Sequence, residues 1–283
     1  MPEMPEVESV VRKLRRSIVG KSIVEVRLSG LPLRKPVEDT FASRLIGHSI
    51  RKIHRRGKYM IVEMQPCAYW LIHLGMSGRV LYRSRPCEEV KHTHAIIRFS
   101  DASELEYRDP RRFGLLRAYD VAQLRLIPEL RFLGAEPLSR KFRIEWLLPR
   151  LQRSRQEIKS FLLDQRLIAG LGNIYACEAL YHARIHPARR CFTIGRDEAA
   201  RLVGAIRTVL RTAIRNRGTS FSDFMDSDGE PGENQTSLGV FQKAGEKCRR
   251  CRSTIRRLRQ GNRSSFFCPR CQRQGRMGRR SIQ

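Results

Sequence analysis

Two groups of residues in this chain have reactive side chains or termini at telling positions. The first is the amino terminus, Met1-Pro2-Glu3-Met4-Pro5-Glu6-Val7-Glu8. Trimming of Met1 ahead of the small Pro2 leaves a free secondary amine. An α-amino group titrates near ~8, so part of it is neutral and nucleophilic at working pH. Glu3 follows at once, and an amine nucleophile beside a carboxyl acid suits Schiff-base catalysis. If Met1 is retained, the Pro2 nitrogen is a tertiary amide and that chemistry is lost. The same residues also suit a helix start, because proline fits a first turn and carboxylates favour its positive end. Both readings stand on these residues alone.

The second group is Cys248-x2-Cys251, sixteen intervening residues, then Cys268-x2-Cys271. Four thiolates in two such knuckles match a tetrahedral structural zinc site. A closed four-cysteine set leaves no open coordination position, so one Zn2+ would fold the ribbon rather than catalyse. Nothing in the sequence points to a redox or nucleotide cofactor. From Lys247 to Gln283 there are thirteen Lys and Arg and no Asp or Glu, which makes the ribbon and its tail a candidate phosphate clamp. Cys67, Cys87, Cys177 and Cys191 are scattered and read as reduced thiols.

The elements that must position these groups follow from composition and periodicity. The 283 residues suffice for two domains, and 41% hydrophobic content indicates a globular chain. The 56 Lys and Arg against 28 Asp and Glu give a net charge of +28, with Arg far outnumbering Lys. Such a protein meets a polyanion; nucleic acid is preferred over an anionic membrane, because arginine forks fit phosphate. No apolar run approaches the ~20 residues of a bilayer span, and no signal pattern opens the chain, so a reducing cytoplasm is expected.

Val7, Val10, Val11, Leu14 and Ile18 fall on one face of a helix predicted over 5–19, with Gly20 as its C-cap. From 22 to 120 the pattern is β-like, with strands predicted at 23–26, 59–63, 69–74 and 94–99. Leu133 to Leu138 reads as an interdomain linker, and 143–216 as helical. The turn Gly170-Leu171-Gly172-Asn173 before a helix suits a phosphate or a plain tight connection equally. Residues 217–245, polar and glycine-rich, read as a mobile loop.

In combination the motifs are specific. Pro-Glu-Met-Pro-Glu-Val-Glu at 2–8, Arg56-Gly57-Lys58-Tyr59, His73-Leu74-Gly75-Met76-Ser77-Gly78, Asp109-Pro110-Arg111-Arg112-Phe113-Gly114, Gly172-Asn173-Ile174-Tyr175 and the terminal cysteines occur in that order. With them the chain resembles the bacterial formamidopyrimidine-DNA glycosylases, also called Fpg or MutM, from Pro2 to about Cys271. The resemblance implies an α+β multidomain fold: an N-terminal two-layer β-sandwich with flanking helices (1–134), a helix-two-turn-helix domain with a lesion loop (135–240), a four-Cys zinc ribbon (241–273) and a basic tail (274–283).

It also implies excision of oxidised purines, 8-oxoguanine and formamidopyrimidines, from damaged double-stranded DNA, followed by β,δ-elimination. Catalysis would fall to Pro2 as nucleophile, Glu3 as general acid, and Lys58 and Arg263 in the elimination steps. Met76, Arg111 and Phe113 would fill the void left by the flipped base. His92, Arg111, Lys159 and Asn173 would contact DNA. Asn173 is equally a candidate helix cap, and Glu6 either touches the flipped base or serves the helix start. A monomer is the default.

One segment departs from the family pattern. The lesion-covering loop usually carries an aromatic pair after Pro-Gly and then a Tyr-Gly-Arg-like stretch. Here Pro231-Gly232 is followed by Glu233-Asn234, and later by Val240-Phe241-Gln242-Lys243. Rival readings are an endonuclease VIII-like enzyme for oxidised pyrimidines, a noncatalytic damaged-DNA-binding protein on the same scaffold, and a zinc-ribbon RNA or ribosome-associated protein. The 109–114 motif and Met76 argue against the first, and Pro2, Glu3 and Lys58 together against the second. The third leaves the amino-terminal motif unexplained.

Overall fold

A computed structural model describes residues 2–88, 90–120, 123–221 and 224–274. Met1 and most of the basic tail therefore lie outside the described residues. The chain divides into two units, one of residues 1–133 with 211–236, the other of 134–210 with 237–283. The division differs from the sequence boundaries in two ways. Residues 211–236 group with the N-terminal unit, and the ribbon groups with the helical domain.

The first unit starts with helix α1, Met4–Ile18. Its apolar face is the one its spacing predicts: Val7, Val10, Val11, Leu14 and Ile18 are all fully buried. Burying five such side chains is worth on the order of 10 kcal/mol before entropy is counted. The helix ends at a C-cap on Val19, followed by Gly20 at φ +89°.

Two antiparallel sheets follow, each four-stranded among the described residues. One has the order β1 (Ile23–Leu28), β6 (Thr93–Phe99), β7 (Glu104–Arg108), β5 (Arg79–Arg83). The other has the order β2 (Ser49–Arg56), β3 (Tyr59–Gln65), β4 (Ala68–His73), β8 (Leu115–Tyr119). Both contribute to one core with α1, including Ile97 and Phe99 from one sheet and Val62, Trp70 and Ile72 from the other. The period of two sends Met60, Val62 and Met64 into that core, while Ile61 turns to the opposite face with Leu71, Leu115 and Ile127. This is the two-layer sandwich.

Strands β2, β5, β7 and β8 escape the sequence reading, β2 and β7 for local reasons. In the basic strand β2 only Ile50 and Ile53 reach the core, three residues apart, because a bulge between Ile50 and Lys52 resets the alternation. In β7 the core residues Leu105 and Tyr107 alternate with fully buried Glu104 and Glu106. Arg27 and Arg98 pair with Glu104, and Arg83 and Arg108 with Glu106.

In the second unit Gly134 and Ala135, read as linker, are bound into the body. Ala135 bridges Ile168, and a Cβ on Gly134 would lie 2.1 Å from the Leu167 carbonyl oxygen. Helices α3 (Ile144–Gln152), α4 (Ile158–Leu163) and α5 (Asn173–Ala183) belong to this unit, and α6 (Arg196–Arg215) begins in it and ends in the first. A short helix, α2 (Pro128–Arg131), precedes them in the first unit. The ribbon is a two-stranded hairpin of β9 (Arg256–Gln260) and β10 (Arg263–Phe267). It shares a small core with the helical domain that includes Tyr181, Leu238, Val240, Ile255 and Phe266.

Candidate active site

The α1 start fixes the amino terminus. Glu3 is the N-cap, and it exchanges hydrogen bonds with Glu6 in a capping box. The Glu3 amide donates to Glu6 Oε2 at 2.8 Å, and Glu6 Oε1 accepts the Thr219 amide at 2.8 Å. Pro2, Glu3 and Glu6 are all buried. Glu6 thus serves the helix start and holds the 219 segment, as a brace between the two.

That segment is tied down where the sequence suggested mobility. Asn234, 2% exposed, donates from Nδ2 to Thr219 Oγ1 at 2.9 Å and accepts from Asn216 Nδ2 at 3.2 Å. Glu233 pairs with Arg217. Gly218 needs its φ of +88°, and a Cβ there would meet the Glu6 side chain at 3.0 Å. Further along, Lys13 of α1 binds Asp226 at 2.7 Å and Asp228 at 2.5 Å. The Tyr82 amide of edge strand β5 donates to the Ser227 carbonyl at 2.8 Å.

Lys58 sits on the two-residue β2–β3 hairpin, where Gly57 at φ +57° makes the turn. Lys58 is 7% exposed. The β3–β4 register pairs Tyr59 with His73, and their rings stand 4.8 Å apart. Burial, then the neighbouring Lys58 ammonium and Arg34 guanidinium, push the His73 pKa down to about 4. His73 Nδ1 accepts the Gly75 amide at 3.0 Å, so the neutral ring carries its proton on Nε2. His73 was legible only as part of its motif.

Met76, Arg111 and Phe113 are brought together on two loops that brace each other. All three are exposed. A Cβ on Gly75 would lie 2.4 Å from the Phe113 carbonyl carbon, so only glycine allows this approach. The Arg111 guanidinium lies 4.9 Å from the Phe113 ring centre. The hub is Asp109, fully buried. Its carboxylate accepts Ser77 Oγ at 2.6 Å, the Gly114 amide at 2.8 Å and the Arg111 amide at 3.3 Å. Nearby, exposed His92 is held at φ +70° while its carbonyl accepts the Asp109 amide at 3.0 Å.

In the second unit Asn173 opens α5 at its first position, and the N-cap is Gly172. Asn173 Nδ2 donates to the Ser264 carbonyl at 3.1 Å. Lys159, read from sequence as a DNA contact, is 1% exposed and donates to the same carbonyl at 2.9 Å and to Ser265 Oγ at 2.6 Å. A lysine on a short helix face cannot be told from a surface charge by spacing; here it is buried as a brace for the hairpin. Arg263, just before Ser264, is exposed at the start of β10.

The four cysteine sulfurs all lie within 4.8 Å of one another, with pairs at 3.3 and 3.9 Å. Tetrahedral Zn–S bonds of about 2.3 Å place sulfurs about 3.8 Å apart, so the set fits zinc. Tyr181 OH lies 3.3 Å from Cys248 Sγ, within reach to donate a hydrogen bond to that sulfur if it holds a metal as a thiolate.

Family models match three stretches: a formamidopyrimidine-DNA glycosylase N-terminal domain over 1–116, its H2TH domain over 133–225, and a zinc finger found in FPG and IleRS over 245–274. The formamidopyrimidine-DNA glycosylase of Desulforamulus reducens is 39% identical over 275 residues, covering 96% of this chain and 99% of that one. The chain belongs to the formamidopyrimidine-DNA glycosylase family. The Pelotomaculum thermopropionicum relative is 40% identical at the same coverage. Among solved structures, Lactococcus lactis Fpg in complex with an abasic-site DNA superposes with a TM-score of 0.88 at 33% identity, covering 96% of this chain and 99% of that one. Thermus thermophilus MutM gives 0.86 at 36%, covering 97% and 100%.

Against this family background, the departures in the loop acquire a structural role. Asn234, where aromatics were expected, is the internal brace of Thr219 described above. Gln242 adopts φ +60° in the stretch where a Tyr-Gly-Arg-like pattern was expected. Just before it, buried Glu178 accepts the amides of Gly239, Val240 and Phe241 at 2.8–2.9 Å.

Proposed function

We propose that this protein is a bifunctional DNA glycosylase and abasic-site lyase of base excision repair, acting on oxidised purines in duplex DNA. The observation that carries the reading is the buried Pro2-Glu3 start, held by reciprocal capping with Glu6 in the same unit as Lys58. The names of the relatives support the reaction class, and complexes of Lactococcus lactis Fpg with damaged DNA support the partner.

The chemistry follows from a secondary amine. Once Met1 is removed, the neutral Pro2 nitrogen attacks the sugar C1′, the bond from C1′ to the base breaks, and the departing base takes up the proton that the amine nitrogen gives up. Glu3 supplies a proton to the ring oxygen as the sugar opens, leaving a cationic iminium on Pro2. That cation acidifies the C2′ hydrogen. Its loss expels the 3′ phosphate, and a second elimination expels the 5′ phosphate. Lys58 and Arg263 assist these departures by pairing with the phosphates. Water then hydrolyses the iminium and frees Pro2.

Met76, Arg111 and Phe113 fill the space of the extruded base, with the guanidinium available to the orphaned partner. His92 and Asn173 contact phosphates. A single structural Zn2+ on Cys248, Cys251, Cys268 and Cys271 supports the ribbon and takes no part in the reaction.

Borohydride trapping on an 8-oxoguanine·cytosine duplex tests this. A covalent adduct that disappears in Pro2→Gly, with duplex binding kept, is expected. Undiminished turnover in Pro2→Gly would remove the nucleophile from the reading.

A further inference from the structure

The second unit carries a basic recess that the proposed reaction does not use. It measures about 510 Å³ and borders the four-cysteine site: Cys251 and Cys271 line it together with Arg184, Arg189, Arg250, Arg270, Arg273 and Glu198. Five guanidinium groups thus face one carboxylate. That carboxylate is already bound, because Glu198 takes both terminal nitrogens of Arg189 at 2.9 and 3.0 Å. Arg250 is also held in place. It lies 4.3 Å from the Tyr181 ring centre and donates to the Tyr181 carbonyl at 2.9 Å. The guanidinium groups of Arg184, Arg270 and Arg273 make no hydrogen bond or ion pair among the described residues.

Solvated surface arginines repel one another and spread. These converge on a concavity, and two are pre-set in orientation. Arg184 also occupies a left-handed position at φ +60°, the C-cap of α5 where glycine is the unstrained choice. Among the arginines of the recess, helix-end capping accounts for Arg250, whose guanidinium bonds the Tyr181 carbonyl; Arg201, outside the lining, bonds the Ala183 carbonyl at 3.4 Å.

The recess lies at the opposite end of the ribbon from Asn173 and Ser264. Helix α5 runs eleven residues from Asn173 to Ala183, just before Arg184. At 1.5 Å per residue that is about 16 Å. The five residues of β10 from Arg263 lead to Cys268, beside Arg270, over a similar distance of about 17 Å.

We propose that this recess is a binding site for a compact oligophosphate, distinct from the lesion-binding surface. Forked guanidinium groups match the oxygens of successive phosphates, and a recess of this volume holds a few phosphate units rather than a duplex. The phosphates can come from a free inorganic chain or from the tail of a nucleotide.

The test is calorimetric titration of the full-length zinc-loaded protein at physiological ionic strength, with inorganic triphosphate, a nucleoside triphosphate and the bare nucleoside as probes. The triphosphates should bind saturably and the nucleoside should not. Tighter binding of the nucleotide than of inorganic triphosphate would identify the nucleotide as the source. The variant Arg184→Gly with Arg270→Gln and Arg273→Gln should weaken triphosphate binding at least ~10-fold. Zinc content and excision rate report its folding. A control variant, Arg153→Gln with Arg155→Gln, removes charge elsewhere on the same unit and should change the affinity less than ~2-fold. Saturation with a short lesion duplex should leave triphosphate binding intact. Equal losses in both variants would reduce the effect to bulk charge. Displacement by the short duplex would make the recess part of the DNA contact. Absence of saturable binding, or an unaffected triple variant, would also overturn the proposal.

Discussion

Pro2 and Glu3 are held still because a helix start must satisfy its first amides, and here Glu3 and Glu6 do so for each other. The motif's helix-start and catalytic readings are therefore compatible, since the cap holds Glu3, next to the amine proposed as nucleophile. Asp109 has a similar status on the opposing loops. Its carboxylate collects donors from both, and removing it strands buried groups. Asp109→Ala is expected to cost about 2–4 kcal/mol in urea unfolding and to lower excision by displacing Arg111 and Phe113. His73 gives a pH prediction. Its folded pKa, about 4, lies below the usual 6.5, so below pH 6.5 the unfolded chain binds more protons. Stability should therefore fall as pH drops from 6.5 toward 4, by up to roughly 3 kcal/mol from this group. In His73→Asn, which can still accept the Gly75 amide, unfolding measured across that window should show a shallower slope.

At the scale of elements, the 216–234 segment is the unexpected part. A polar, glycine-rich stretch reads as a loop, yet its described residues are joined to α1 through Thr219 and Glu6, and through Lys13 and Asp226. Asn234 closes the brace from the far side. Asn234→Ala is expected to cost about 1–2 kcal/mol and to free Thr219. Base excision should fall several-fold while cleavage of a preformed abasic site stays near wild type, because the amine and Glu3 are untouched. Equal loss of both activities, measured side by side, would assign Asn234 to the fold alone. The ribbon follows the same rule, with Lys159 and Asn173 converging on the Ser264 carbonyl to set the hairpin that carries Arg263.

For the whole molecule, charge sets the behaviour. A net charge of +28 coexists with acidic residues concentrated in paired positions, such as Glu104 and Glu106 under four arginines. Among the described residues the surface charge outside ion pairs is thus mostly positive. Duplex binding should weaken steeply with salt. Neutralising about five phosphates gives a slope near −4 to −5 in log K against log salt. A filter-binding series across salt concentrations measures it, and a flat response would exclude the basic clamp.

Several features were determined by the sequence alone, for local physical reasons. The α1 face is set by a period of 3.6, the four-cysteine site by its spacing, and the helix start at Glu3 by residue types within one turn. The motif order carried the family. Other features depend on contacts distant in the chain, which periodicity does not encode. Strand β2 hides behind a bulge that realigns Ile50 and Ile53. Asp109 becomes a hub only when the 75–78 and 109–114 loops meet. Lys159 turns from a surface charge into a buried brace because Ser264 and Ser265, more than a hundred residues away, supply its acceptors. Asn234 looks like a lost aromatic until Thr219 and Asn216 surround it. A buried polar group needs a partner, and only the tertiary structure decides which distant residue provides it.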